Sequence, residues 1–165
     1  MNLSVILIEI VLLLLGFTVL VFGMLFISPL TFISDYPPEI QAEYYRSQHK
    51  EAAKEKLTWL MVLKKLLAVA AFLFLFAWMM HLAGAKTFWQ GVGLTWVYML
   101  CVFAWDTFFL DWVLFANIKR VRLPGTEHMD REYHQKWFHV KVCLPVLPLA
   151  FLAGFVSSAL MLWLW

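Results

Sequence analysis

Four long apolar runs organise the chain. They cover residues 3–33, 57–82, 92–117 and 140–165, and each exceeds the ~20 residues an α-helix needs to cross about 30 Å of hydrocarbon. Within them apolar residues follow one another without alternation, as in 11–15 and 66–76, whereas a spanning β-strand alternates lipid-facing and lumen-facing residues over about ten positions. Backbone donors and acceptors in lipid must be paired within their own segment, so the runs predict helices. The expected architecture is an all-α polytopic membrane protein. It has four transmembrane helices in two antiparallel hairpins and forms one domain over residues 1–165.

The polar intervals predict the connections. Ser34-Asp35-Tyr36-Pro37-Pro38 ends the first run, because proline lacks an amide donor and the residue before it avoids the helical region. Pro38 and Glu39 suit the first turn of a helix that is expected to leave the bilayer, continue to Lys56 and run into the second span. In the second long connection Pro124-Gly125 predicts a turn, Thr126 an N-cap, and Glu127 and Asp130 the first turn of a helix entering the fourth span. Helical connections are thus expected over 35–56 and 118–139. Pro145 and Pro148 predict a kink, and Gly154, Ser157, Ser158 and Ala159 are small enough for close helix contact, within one chain or between two.

Composition strengthens the membrane reading. The chain is 63% apolar and 15% charged, with mean hydropathy +0.77, against about 45–50% and about 25% in an ordinary soluble domain. A net charge of +2 gives no footprint for nucleic acid. The Met-Asn-Leu-Ser start lacks the basic region of a secretory signal, so the first run is read as a retained span. Arg46, Lys50, Lys54 and Lys56 lie in the first long connection. Lys119, Arg120, Arg122, Arg131, Lys136 and Lys141 lie in or beside the second, while the short turn has only Lys86. By the positive-inside rule both long connections are cytoplasmic and both termini outside, in the cytoplasmic membrane. Cys101 and Cys143 are expected at different depths, unable to form a disulfide, and are read as small packing residues.

Candidate chemistry lies inside the spans and next to them. Asp106 and Asp111 sit within the third run, where an isolated aspartate costs about 2.5–3.5 kcal/mol on the insertion scale. Lys64 and Lys65 enter the second run to a similar depth, so an ion pair with Asp111 is expected. Glu9 is the other intramembrane acid. On a regular α-helix Asp106 and Asp111 point in different directions and are not expected to share a one-sided pocket. Tyr98, Trp105 and Trp112 recur every seven residues, which reads as a packing or lipid-facing stripe. The leading functional expectation is a small membrane protein that binds or conducts a polar or ionic solute through Asp106 and Asp111, with Lys64 and Lys65. Its partners would be membrane lipids and further copies of itself, since four helices enclose little volume. A second reading uses Glu127, Asp130, His134 and His139, with Asp111, as a cytoplasm-facing divalent-metal or acid–base centre acting on a lipid-like substrate. A third is an accessory subunit without chemistry of its own. No phosphate loop, Cys-x-x-Cys, Gly-x-Ser-x-Gly or His-Glu-x-x-His occurs.

The combination of Asp35-Tyr36-Pro37-Pro38-Glu39-Ile40-Gln41, Trp105-Asp106 with Asp111-Trp112, Pro124-Gly125-Thr126-Glu127-His128-Met129, and Tyr133-His134 with Phe138-His139 resembles an uncharacterised family of small bacterial four-span membrane proteins. The resemblance covers almost the whole chain. It implies a bacterial cytoplasmic membrane and carries over no catalytic residue.

Overall fold

The computed structural model describes residues 1–49 and 58–165. Helices α1 (Leu3–Ile27), α2 (Pro38–Ser47), α3 (Trp59–Leu82), α4 (Phe88–Trp105), α5 (Asp130–Tyr133), α6 (Lys136–Cys143) and α7 (Leu147–Leu164) are joined by shorter helical turns. No strand occurs among the described residues. Four stretches are long and apolar enough to cross a membrane: Leu3–Ile27, Trp59–Leu82, Phe88–Phe115 and Lys136–Leu164. Their outward surfaces carry large apolar side chains, among them Leu7, Val11, Leu66, Leu67, Leu149 and Leu152. Such continuous apolar exposure fits a surface solvated by lipid. The molecule is an all-α polytopic membrane protein.

Several boundaries differ from expectation. The first span ends at Ile27 rather than residue 33, because Pro29 opens a 3-10 segment, Pro29–Asp35. Tyr36 and Pro37 are extended, and Pro38 starts α2 as its position predicts. Helix α2 closes at Ser47 and is followed by His49 with φ 50°. The rest of the expected helix, with Lys50, Lys54 and Lys56, lies outside the described residues. Thr58 caps α3, its hydroxyl accepting the Met61 amide at 3.3 Å. Pro145 falls in a 3-10 turn, Leu144–Val146, that interrupts α6 and α7 where a kink is expected.

The residue contacts gather into two compact units. One takes in Met1–Leu12, the described residues of Lys54–Cys101, and Val146–Trp165. Here the small residues of α7 are buried within the chain: Gly154, Ser157 and Ser158 are covered, while Ala159 is exposed. A Cβ on Gly91 would lie 2.7 Å from the Ser158 hydroxyl, and one on Gly154 2.9 Å from the Trp96 indole nitrogen, so both glycines are needed for the close approach of α4 and α7. Ser158 donates to the Gly154 carbonyl at 2.6 Å, and Trp96 donates to the Phe151 carbonyl at 3.1 Å. Glu9 is buried and accepts the Tyr98 hydroxyl on one oxygen.

The other unit takes in the described residues of Leu13–Ala53, and Val102–Pro145. Its core comprises Phe22, Leu25, Tyr36, Ile40, Tyr44, Leu110, Phe115, Val121, Leu123 and Tyr133. Tyr36 is wholly enclosed, packs on Phe115 and Tyr133, and donates to the Val121 carbonyl at 2.6 Å. The expected helix from Thr126 into the fourth span is replaced by a folded connection. Leu123-Pro124-Gly125-Thr126 is a type II turn, with the Thr126 amide bonded to the Leu123 carbonyl at 3.1 Å and Gly125 at φ 84°. Thr126 is not a cap. Its buried hydroxyl donates to the Leu123 carbonyl at 2.7 Å, which leaves it to accept from Tyr133, whose own oxygen accepts the Leu123 amide at 2.9 Å. The buried polar groups of Leu123, Thr126 and Tyr133 thus satisfy one another without a continuous helix there.

Candidate functional site

The third span changes character at Asp106. From Asp106 to Phe115 the backbone winds as a π-helix, each amide reaching back five residues instead of four. Residues five apart then come nearly one above another, so Asp106 and Asp111 face the same way. The expectation that they diverge holds only for α-helical winding, and the π-helix overturns it. Aromatic side chains moor the segment and its flank within the same unit. Trp105 donates to Thr18 at 2.9 Å and Trp112 to the Lys136 carbonyl at 3.0 Å, so these two members of the seven-residue stripe serve packing.

Helix α6 completes the site. His139 and Cys143 lie four residues apart, one helical turn, and both face the π-helix. One carboxylate oxygen from each of Asp106 and Asp111 and the Cys143 sulfur all lie within 4.8 Å of one another. The thiol approaches Asp106 Oδ2 at 4.0 Å. His139 Nδ1 is 3.3 Å from Asp111 Oδ2, while its ring, only 6% exposed, rests against Phe115 and Phe138. The other ring nitrogen, Nε2, has no hydrogen-bond partner among the described residues, and neither has the fully buried Thr107 hydroxyl beside Cys143. Asp35, exposed at the end of its 3-10 segment, is within electrostatic reach of Asp106, Asp111 and Cys143. Two carboxylates from one apolar span thus converge with a thiol and an imidazole from another.

The other predicted residues are distributed differently. Asp111 meets the imidazole of His139, where a lysine is expected; Lys64 and Lys65 are exposed on α3, in the other unit. The cluster of Glu127, Asp130, His134 and His139 does not assemble. Glu127 is exposed and accepts the Gly125 amide at 3.1 Å. Asp130, also exposed, pairs with Arg122 at 2.5 Å, and that hydrogen bond and charge hold its carboxyl below the usual range. His134 is exposed and bonds the Asp130 carbonyl at 2.6 Å, leaving His139 alone inside. Its separation from His134 has a physical reason: the chain leaves helical geometry between Tyr133 and Lys136. Cys143 and Thr107 are the members that sequence reasoning missed. Cys143 stands one helical turn from His139, and that spacing, which puts both on one face, is the signal that points to the first of them.

No protein-family model matches the chain. Neither a curated protein nor a solved structure matches it.

Proposed function

We propose that this membrane protein binds a cation at Asp106 and Asp111 and lets it exchange with the cytoplasmic side. In this reading it lies in a bacterial cytoplasmic membrane with both termini outside, as the ten basic residues in or beside the long connections favour over the single Lys86 of the short turn. The observation that carries the reading is the π-helical turn, which sets two aspartates side by side within one span. Two anionic carboxylates at that spacing repel, and each alone is costly in hydrocarbon; a cation between them relieves both penalties. Asp35 supplies a further carboxylate at the edge, which favours entry of a positive ion. Because a single four-helix chain encloses little volume, a homo-oligomer is the form expected to conduct.

The test is cation binding to tag-free protein in detergent, followed by flux in proteoliposomes, for the wild type, Asp106→Asn and Asp111→Asn. Each substitution keeps the size of the side chain and removes its charge. Binding is expected to fall at least about tenfold, an energy of about 1.4 kcal/mol, with melting temperature little changed. A wild type that binds no cation, or variants that bind it undiminished, would sink the proposal.

A further inference from the structure

We infer that the cation taken by this site is a divalent transition metal of the zinc class, ligated by Asp106, Asp111 and Cys143, with His139 positioning the Asp111 carboxylate. The inference rests on the cation-binding reading above and adds the ion's identity. The donor set decides between classes of ion. Calcium and magnesium take six or more oxygens and have no use for sulfur, whereas zinc and its neighbours accept mixed carboxylate, thiolate and imidazole ligands in fours. Here a sulfur stands with two carboxylates, and no further carboxylate lies within 4.8 Å of all three among the described residues.

The spacing suits such an ion. Bonds of ~2.0–2.3 Å in tetrahedral geometry hold ligand atoms roughly 3.3–3.8 Å apart. The Cys143–Asp106 separation is 4.0 Å, and the whole set falls within 4.8 Å, so small side-chain rotations close it. Three protein ligands leave a fourth position for water or an incoming group, the arrangement of sites that exchange what they bind.

Two buried groups point to the same occupant. His139 meets Asp111 through Nδ1 at 3.3 Å, an outer polar contact to a carboxylate of the kind that orients ligating carboxylates around protein-bound metals. Thr107 places a buried hydroxyl, without a partner among the described residues, beside the Cys143 sulfur. Metal binding removes the thiol proton to water, and the resulting thiolate gives that hydroxyl an acceptor for its hydrogen bond.

Tag-free protein in detergent, titrated with zinc, cobalt, magnesium and calcium, tests this. Zinc and cobalt are expected to bind one per chain. Cobalt should develop the near-ultraviolet thiolate-to-metal charge-transfer band and the visible bands of a four-coordinate ion. Cys143→Ser should abolish the charge-transfer band and weaken zinc at least about tenfold. His139→Gln should weaken zinc by about 10–100-fold while keeping the band. The cobalt spectrum of the unmutated protein is decisive even where a variant fails to fold. If magnesium or calcium binds as tightly as zinc, or cobalt binds without a thiolate band, the metal assignment is overturned while cation binding by the acids stands. If no cation binds, both readings fall.

Discussion

Arg122 shows how much of this protein is decided by single side chains. Its side chain is 2% exposed, and its guanidinium pairs with Asp130, donates to the Glu127 carbonyl at 2.8 Å and lies 4.8 Å from the Tyr133 ring centre. One residue thereby ties both ends of the folded connection together. The carboxyl of Asp130 is held below its ordinary range by the Arg122 hydrogen bond and charge. A depressed folded value means the contribution is present above the unfolded pKa, about 3.9, and is lost as pH falls through the folded one. Asp130→Asn is therefore expected to lower the melting temperature at pH 7, modestly because the carboxylate is exposed to solvent. The gap to wild type should close as pH falls below the ordinary carboxylate range and through the depressed Asp130 value; a gap independent of pH would show that the pair contributes nothing. Sequence identified the residues of this connection but not their roles. Arg122 reads as one more basic charge and Thr126 as a cap, because burial of a guanidinium or a hydroxyl depends on groups up to 85 positions away, as in the Tyr36–Val121 bond beneath them.

Among elements, the spans were legible and the winding of the third was not. Hydrophobic runs declare their own length, and Pro29, Pro38 and Pro145 mark real interruptions close to where backbone chemistry places them. A π-helix leaves no such mark. Its composition is that of any apolar helix, and the change from four-residue to five-residue hydrogen bonding rotates every later side chain. Helical periodicity therefore places Asp106 and Asp111 apart, and the site cannot be read from it. Since π-winding accommodates surplus residues, removing one should relieve it. Deletion of Phe108, which is exposed, would leave the two aspartates four apart, still on one face of an α-helix. We expect that deletion to keep cation binding and to lower the melting temperature less than deletion of Leu100, an exposed residue in the α-helical part of the span. Equal losses would argue that the π-helix is not surplus length.

For the whole molecule, the four spans follow from composition alone, while orientation depends on where charges fall. A reporter fused at Lys86 is expected outside, and cysteine probes at exposed Lys119 or Arg120 should react only from the cytoplasmic face; labelling of either from outside intact cells would reverse the orientation. The division into two units has its own chemistry. Small residues and close helix contact dominate one, at Gly91, Gly154 and Ser158. The other joins an aromatic core to the polar cluster of the site.

The burial of Arg122 also bears on how the protein is made. While the chain is being inserted its connection is unfolded, and in the proposed orientation Arg122 counts with Lys119 and Arg120 among the charges expected to hold that loop on the cytoplasmic side. After folding it is enclosed against Tyr133 and Asp130. The same guanidinium is read first by the insertion machinery as a charge and then by the finished fold as a clamp, so its replacement by a neutral residue would touch biogenesis and stability together, while lysine would preserve only the first.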